Sequence, residues 1–270
     1  MYFTLQTIQK YLIAKKENKS SFEISLDLGI TKTICPIGEF SAILDKCPKI
    51  RNEDIMYWDK KKEEGFKLQI ANENGIFSLR KDKNENKPIL YINAVKMNVS
   101  KDKGIDGYNE SVIGNLGIKK SDIVLEVCTG AGYKTLLLSE KAENVVSVEK
   151  SKEVLELMKY NPYVCGLLKK KNVKIINDDA TSYVKTVKEK FTKILHDPPT
   201  FKFAPELYTV EFYGDLYGLA EQGCILFHYT GNPGTKFRGK DIVGATIERT
   251  KQAGWKLIKK EDLGIYFKKI

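Results

Sequence analysis

Hydrophobic and polar residues alternate in short segments between residues 21 and 97. The segments are SFEISLDL, KTICPI, GFKLQIA, GIFSLR and PILYINAV, and glycine, proline, asparagine or charged residues separate them. Alternation over four to eight residues is typical of strands that have one buried face. Ahead of these segments, Leu5, Ile8, Leu12 and Ile13 have the spacing of one face of a helix. The pattern therefore predicts a small β-rich domain over residues 1–100.

The pattern changes after residue 100, where apolar strand-like runs alternate with helix-length segments. The polar stretch NVSKDKGIDGYNES marks the boundary, and the runs that follow are DIVLEVC, NVVSVEK, NVKIIND, TKILHDP and GCILFHYT. Strands separated by helices imply right-handed crossovers and a parallel sheet. The tail GWKLIKKEDLGIYFKKI adds two strands that a short turn joins. We therefore predict an α/β domain over residues 101–270 with a seven-stranded, mostly parallel sheet.

Composition narrows the classes of partner. The chain has 270 residues, of which 42% are hydrophobic, so it can bury a core. No apolar run approaches the roughly 20 residues of a membrane span, and no small-residue cleavage site follows an apolar stretch at the N-terminus. We expect a soluble, cytoplasmic protein without a membrane partner. The net charge of +10 favours a polyanionic partner such as RNA.

Cysteine and histidine usage argues against a metal site. The five cysteines are scattered, no CxxC pair occurs, and the chain has only two histidines that could complete a zinc site. We therefore expect no metal, and we expect buried free thiols.

Small residues follow the first apolar run of the second domain. Glu126 lies near the end of that run, and Gly130 and Gly132 follow it in the sequence EVCTGAG. Where a parallel strand leads into a helix, small residues let the backbone approach a ligand and leave the helix N-terminal amides free to face it. Position 135 is threonine where the dinucleotide-binding fingerprint has a third glycine, so an NAD site is disfavoured.

Further acids follow the next two strands. Glu149 ends the run NVVSVE, where a carboxylate can accept hydrogen bonds from both hydroxyls of a ribose. The alternative for Glu149 is a surface glutamate that begins a helix. Asp179 follows the third strand and could bind an adenine amino group, although Asp178 competes for this contact and helix N-capping is the alternative for either residue.

Three acids after three successive strands resemble the Rossmann-like S-adenosylmethionine-dependent methyltransferases. In that family the acid that opens the glycine motif reaches the methionine end of the cofactor. The resemblance covers residues 103–270 and implies S-adenosylmethionine as the cofactor. It implies a cofactor site made of Glu126, Thr129, Gly130, Gly132, Glu149, Lys150, Asp179 and Ala180.

The fourth strand ends in the sequence HDPPTF, which resembles the (D/N/S)-P-P-aromatic motif of enzymes that methylate amino groups on aromatic bases. The resemblance implies that Asp197 and the carbonyl of Pro198 accept the two N–H bonds of such an amine. Pro198 and Pro199 make the loop rigid, which holds the acceptors in place. The alternative is that the prolines only end a strand. Thr200 stands where the motif has an aromatic residue, and Phe201 or Phe203 could replace it.

The rest of the second domain resembles a group of predicted archaeal methyltransferases with the pattern DPPRF…ELY…EFY…LFHYTG. This resemblance begins at EISLDLGIT and so includes the N-terminal domain, to which we assign substrate recognition. Core packing is the alternative for the aromatic residues and for the histidine of this stretch, and solvation is the alternative for its arginine. The candidate substrate contacts are Phe201, Tyr208, His228, Tyr229 and Arg238.

The leading hypothesis is methylation of an exocyclic base nitrogen in structured RNA. We favour ribosomal RNA or a ribosomal subunit over transfer RNA, and cytidine N4 over adenine N6 or guanine N2. A spermidine synthase-like aminopropyltransferase is the first alternative, and a non-catalytic RNA-binding module is the second. Carbon-5 methylation of a pyrimidine would need a cysteine thiolate, and no cysteine adjoins the Asp-Pro-Pro sequence.

Overall fold

The chain folds into two compact units. The computed structural model describes residues 1–82, 85, 87–98, 104–231, 236–237, 240–261 and 264–270, so the candidate contact Arg238 lies outside the described residues. The first unit comprises Met1–Tyr108 and Glu156–Cys165, and the second comprises Asn109–Leu155 and Gly166–Ile270.

The helices occur in both parts of the chain. They are α1 (Leu5–Lys16), α2 (Ile37–Asp45), α3 (Gly104–Leu116), α4 (Tyr133–Lys141), α5 (Lys152–Lys159), α6 (Ala180–Thr186), α7 (Val210–Leu219) and α8 (Ile242–Gln252). Short 3₁₀ turns occur at Leu167–Lys169 and Pro205–Tyr208.

Small antiparallel sheets make up most of the first unit. Its strands are β1 (Tyr2–Phe3), β2 (Ser21–Ile24), β3 (Thr33–Pro36), β4 (Met56–Asp59), β5 (Glu64–Lys67), β6 (Gln69–Asn72), β7 (Gly75–Arg80), β8 (Ile89–Ile92) and β9 (Val95–Lys96). They pair in the orders β1-β4-β5, β2-β3 and β6-β7-β8-β9. The β-rich character predicted for the N-terminal part is confirmed.

An aromatic cluster forms part of the core of the first unit. The Phe40 ring of α2 lies 5.5 Å from Phe3, 5.3 Å from Tyr11 and 5.3 Å from Phe22, measured between ring centroids. Helix α1 is present as predicted; it buries Tyr11 and Ala14, and Ile8 of the predicted apolar face is half-buried against the same core. Leu12 and Ile13 are exposed, so the spacing of apolar residues identified the helix but only part of its buried face.

The second unit contains the predicted seven-stranded sheet. Its strands are β10 (Ile123–Val127), β11 (Asn144–Glu149), β12 (Val173–Asn177), β13 (Phe191–His196), β14 (Ala220–Tyr229), β17 (Lys256–Glu261) and β18 (Gly264–Lys268). Two further short strands, β15 (Lys236–Phe237) and β16 (Lys240–Asp241), pair with each other.

The strand order is β12-β11-β10-β13-β14-β18-β17. Strands β10 to β14 of this sheet pair in parallel, and β18 is antiparallel to both β14 and β17. The Rossmann-like α/β prediction, including the antiparallel pair at the C-terminus, is therefore confirmed.

The sheet topology determines where a ligand can bind. Strand β10 lies between β11 and β13. Strands β11 and β12 extend the sheet to one side of β10, and β13 and β14 extend it to the other side. Open α/β sheets bind ligands at the carboxyl ends of the strands where the strand order reverses. The residues after β10, β11 and β13 therefore meet at one edge of the sheet.

Candidate active site

The turn between β10 and α4 has an unusual backbone. Cys128, Gly130 and Gly132 have positive φ angles of 74°, 56° and 84°. Glycine adopts this conformation without steric cost, whereas for cysteine it is strained, and such strain concentrates at functional sites. Gly132 is the N-cap of α4. The two glycines therefore let the chain reverse above the strand and start the helix immediately.

A buried carboxyl group lies beneath this turn. Glu126 is 1% exposed, and its Oε2 accepts hydrogen bonds of 2.6 Å from the hydroxyls of Thr135 and Ser147. Because the Ser147 hydroxyl donates to Glu126, Thr129 donates its own hydroxyl to Ser147 at 2.6 Å. Burial raises the pKa of Glu126 to about 7, although both hydroxyl donors act in the opposite direction. Glu126 thus links α4 and β11 by hydrogen bonds beneath the turn.

Glu149 ends β11 and joins two parts of the site. Its carboxylate accepts the backbone N–H of Gly130 at 3.0 Å and the backbone N–H of Ser151 at 3.0 Å. Burial raises the pKa of Glu149, and these amide hydrogen bonds partly offset that effect. The carboxylate is therefore oriented against the glycine turn.

Asp179 has the geometry of a helix N-cap. Its Oδ1 accepts the backbone N–H of Thr181 at 2.9 Å and the Thr181 hydroxyl at 2.6 Å, at the start of α6. Its Oδ2 lies 2.8 Å from Nζ of Lys150, whose side chain is largely exposed. Burial alone would raise the pKa of Asp179, but the hydrogen bonds from Lys150 and Thr181 outweigh it and lower that pKa. These contacts are those expected if Asp179 is an N-cap, the alternative to an adenine contact. Ala180, the next residue, is the first residue of α6.

Asp197 follows β13 and forms an ion pair with a residue that the sequence patterns did not indicate. Nζ of Lys134, in the first turn of α4, lies 2.6 Å from Oδ2 of Asp197. The two side chains are only 12% and 21% exposed. The backbone N–H of Asp197 also donates to the carbonyl of Val127, at 3.2 Å. Asp197 thus lies directly beside the end of β10.

A tyrosine holds the Pro-Pro loop that follows. Pro198 is buried and Pro199 is half-buried. The Tyr208 hydroxyl donates to the Pro199 carbonyl at 2.8 Å. Tyr208 is 2% exposed, so its present role is to support the loop from within. The Phe201 ring packs on Tyr208 with 5.5 Å between centroids.

Both histidines of the chain are fully buried under the same loop. His196 donates from Nε2 to the Leu207 carbonyl at 3.0 Å, and its Nδ1 has no hydrogen-bond partner among the described residues. His228 donates from Nδ1 to the Tyr229 carbonyl at 2.7 Å, so its Nε2 accepts from the Tyr213 hydroxyl at 2.8 Å. Burial lowers the pKa of His196 to about 3 and lowers that of His228 well below its usual value.

These contacts separate the candidate substrate residues into buried and accessible groups. Tyr208 and His228 belong to the buried network, so neither side chain reaches solvent in this conformation. Phe201 and Tyr229 are half-buried and lie next to it. Phe203, one of the two proposed replacements for the missing aromatic residue, is 47% exposed and has Nζ of Lys202 5.7 Å from its ring centroid.

The thiols of the second unit lack the features of a nucleophile. Burial raises the pKa of Cys128 well above its usual value, and nearby carboxylates act in the same direction. Burial likewise raises the pKa of Cys224 to about 12. Because the thiolate is the reactive form, these environments disfavour the cysteine-dependent carbon methylation considered above.

Lys134 could have been identified from the sequence by its position. The N-terminal end of a helix carries a partial positive charge, so a cation in the first turn is disfavoured unless an anion lies nearby. Ser147 and Thr135 left no such signal, since a hydroxyl within a strand or helix is compatible with many environments.

No group of three or more histidine, cysteine, aspartate or glutamate side chains that could hold a metal ion occurs in the described parts of the chain. Among the helices of the described residues, none is long and apolar enough to cross a membrane.

The residues around the turn fit S-adenosylmethionine. Apart from its chain neighbours, no heavy atom of the described residues lies within 4 Å of the position that a Cβ on Gly130 would take, so there is open space beside the turn. The N-terminus of α4 and the oriented Glu149 carboxylate border this space. Backbone amides can donate hydrogen bonds to a carboxylate, and a carboxylate can accept them from ribose hydroxyls. These groups therefore match the methionine carboxylate and the ribose of the cofactor.

Comparisons with known proteins agree with S-adenosylmethionine as the cofactor. The uncharacterized protein MJ1233 of Methanocaldococcus jannaschii is 34% identical over 97% of this chain and 96% of its own length. The family model "Ribosomal RNA adenine dimethylase" matches residues 108–207. A protein named "Probable ribosomal RNA small subunit methyltransferase A" from Methanosphaera stadtmanae is 28% identical over 42% of this chain and 41% of its own length.

A solved structure supports the fold over a longer span. Spermidine synthase from Thermotoga maritima superposes with a TM-score of 0.58 at 15% identity, over 79% of this chain and 78% of that chain. At this identity the likeness shows the fold alone. This chain therefore belongs to the family of MJ1233 from M. jannaschii, and its residues 108–207 match a family of S-adenosylmethionine-dependent methyltransferases.

Proposed function

We propose that this enzyme methylates an exocyclic amino nitrogen of a base in structured RNA, with ribosomal RNA ahead of transfer RNA. The position of Asp197 and Pro198 carries the proposal. They follow β13 at the sheet edge where the glycine turn lies, and the Asp197 amide is anchored to Val127 at 3.2 Å. An acceptor side chain and an acceptor carbonyl are thus adjacent in a loop that two prolines make rigid.

The chain's own residues would bind the cofactor at both ends. In this proposal Glu149 accepts the ribose hydroxyls, and the amides at the start of α4 face the methionine carboxylate. Glu126 and Thr129 keep the turn in place through Ser147. When bound, S-adenosylmethionine supplies an electrophilic methyl group on a sulfonium.

Asp197 and Pro198 would prepare the amine for reaction. An amino group on an aromatic base has its lone pair delocalised into the ring. Two acceptors for its N–H bonds favour a pyramidal nitrogen and orient its lone pair for attack. The nitrogen would take the methyl group that bound S-adenosylmethionine supplies, with cleavage of the methyl–sulfur bond and release of S-adenosylhomocysteine. The methylated nitrogen then releases a proton to Asp197, which passes it to water.

Charge and relatives support RNA as the substrate class. The net charge of +10 suits a polyanion, and the matched family and the M. stadtmanae relative have names that refer to ribosomal RNA. From the sequence we favour cytidine N4, whereas the name of the matched family refers to adenine. We propose one of these two amino groups, with guanine N2 behind them, and we assign substrate recognition to the β-rich unit.

The test is transfer of labelled methyl from S-adenosylmethionine to RNA from a strain that lacks the gene. Ribosomal subunits, naked ribosomal RNA and transfer RNA are compared, and the products are digested and identified by nucleoside mass spectrometry. We expect label in N4-methylated cytidine or N6-methylated adenine from ribosomal RNA. Label on ribose or on a ring carbon would contradict the proposal.

An aminopropyltransferase is the second candidate because the fold likeness to spermidine synthase spans most of the chain. That activity predicts turnover with decarboxylated S-adenosylmethionine and putrescine in the absence of RNA. The positive net charge disfavours a cationic substrate. Incubation of the protein with these two compounds, with product detection by mass spectrometry, decides between the candidates.

A further inference from the structure

The Lys134–Asp197 ion pair stands at the position where the proposed reaction takes place. The two residues are 63 positions apart in the chain, and their charged atoms are 2.6 Å apart. Both side chains are more than three-quarters buried, so the pair is much less screened by solvent than a surface pair. The charges of Lys134 and Asp197 therefore contribute strongly to the electrostatic field at this position.

The other carboxyl groups near this pair accept hydrogen bonds from hydroxyls or backbone amides, whereas Asp197 is paired with a cation. Glu126 is buried beneath the turn with two hydroxyl donors on one oxygen, and burial raises its pKa to about 7. Glu149 accepts two backbone amides. An incoming amine would therefore meet Asp197 with its charge already balanced by an ammonium.

We propose that Lys134 is a specificity-determining residue, which neutralises Asp197 so that the site accepts an uncharged aromatic amine and rejects an alkylammonium. This inference rests on the proposed function, because it assumes the cofactor site and the role of Asp197 given above. The amino group of a nucleobase is neutral near pH 7, whereas an aliphatic diamine is doubly charged. Lys134 and the cofactor sulfonium would both repel the diamine.

The charge at the site can be measured with a pair of ligands. S-adenosylmethionine and S-adenosylhomocysteine differ by one methyl group and one positive charge on sulfur. In Lys134→Met the unpaired Asp197 should attract the sulfonium, so the affinity ratio of S-adenosylmethionine to S-adenosylhomocysteine should rise about tenfold. Asp197→Asn removes the negative charge that offsets Lys134, so the ratio should fall by about the same factor.

The experiment is isothermal titration of both ligands into the full chain. Lys134→Met, Asp197→Asn and the double variant Lys134→Met/Asp197→Asn are compared with wild type and with Lys141→Met, an exposed control in the last turn of α4. Putrescine is then titrated into each protein saturated with S-adenosylhomocysteine. We expect the double variant and the control to keep the wild-type ratio, and Lys134→Met to bind putrescine at least about tenfold more tightly than wild type does.

The outcomes separate this inference from the proposed function. An unchanged ratio in Lys134→Met, or putrescine bound equally by wild type and Lys134→Met, would overturn the inference while leaving the cofactor site intact. If wild type bound neither cofactor form, the proposed site and the inference would both fall. Should a single variant fail to fold, the isosteric and uncharged double variant still tests the inference, because a ratio that departs from wild type would contradict it.

Discussion

At the scale of single residues, the site depends on carboxyl groups that have different environments. Glu126 is enclosed and accepts two hydroxyl hydrogen bonds, Glu149 accepts two backbone amides, and Asp197 pairs with Lys134. The sequence predicted these three acids as site residues because each stands at the end of a strand. It did not predict their partners, because hydroxyl groups and backbone amides leave no signal in the sequence and Lys134 lies 63 positions from Asp197.

Glu149→Ala should weaken cofactor binding. The loss of a carboxylate that would accept two ribose hydrogen bonds is expected to cost about 1.5 to 3 kcal/mol of binding free energy. S-adenosylmethionine and S-adenosylhomocysteine have the same ribose, so both affinities should fall equally in isothermal titration. Glu143→Ala, at an exposed position before β11, is the matched control. Unchanged affinity in Glu149→Ala would remove this residue from the site.

Glu126→Gln should change how stability depends on pH. Burial raises the pKa of Glu126 from its usual 4.5 to about 7, so the folded state binds a proton more tightly than the unfolded state does. The stability that this proton contributes is present below pH 4.5 and is lost as the pH rises to 7, by up to about 3 kcal/mol. The glutamine variant is neutral throughout.

The unfolding free energy of Glu126→Gln relative to wild type should therefore increase between pH 4.5 and 7, as measured by chemical denaturation. Glu140→Gln, an exposed substitution in α4, should show no such trend. A difference between Glu126→Gln and wild type that stays constant with pH would mean that Glu126 does not retain its proton in the folded protein.

At the scale of elements, the strands of the second unit were the most predictable part of the fold. Strands β10, β11 and β13 are buried runs of mainly β-branched and apolar residues, so the pattern identified them directly. Strand β1 was missed because it has two residues and alternates too briefly to produce a pattern. Helix α2 was missed because its first residue follows Pro36 directly, within a segment assigned to a strand.

In the 3₁₀ turn at Pro205–Tyr208, the Tyr208 hydroxyl donates to the Pro199 carbonyl of the Asp-Pro-Pro loop, and Tyr208→Phe removes this hydrogen bond. The half-buried Pro199 carbonyl would then lose its donor, which should cost about 1 to 2 kcal/mol of unfolding free energy. A displaced loop should also lower kcat about tenfold or more, since small errors in position are costly in catalysis. Affinity for S-adenosylhomocysteine should stay unchanged.

Tyr217→Phe is the control for this prediction, because the Tyr217 hydroxyl donates to the carbonyl of Ile270 and not to the loop. It should keep the wild-type kcat. A Tyr208→Phe enzyme with normal kcat and normal stability would show that the loop is held by its prolines alone.

At the scale of the whole molecule, net charge is the property that links the fold to its proposed substrate. A surplus of ten positive charges should make RNA binding strongly dependent on salt, because lysine and arginine contacts release condensed counterions. Four or more phosphate contacts predict a slope of about −3 or steeper in log affinity against log salt concentration. Filter binding or fluorescence anisotropy with a ribosomal RNA fragment gives this slope.

The affinity for S-adenosylhomocysteine, a neutral probe of the cofactor site, should change much less over the same range of salt. A slope near zero for RNA would indicate a small-molecule substrate. It would favour the aminopropyltransferase activity over RNA methylation.

Asp197 is proposed to orient an amino group for methyl transfer, and single-turnover kinetics measure this role. Labelled methyl transfer from saturating S-adenosylmethionine to ribosomal subunits is measured for wild type and Asp197→Ala, and titration with S-adenosylhomocysteine reports cofactor binding separately. We expect Asp197→Ala to bind S-adenosylhomocysteine as wild type does and to lose about 100-fold or more of the transfer rate, in the range of a positioned catalytic group. Equal transfer rates for the two proteins would contradict it.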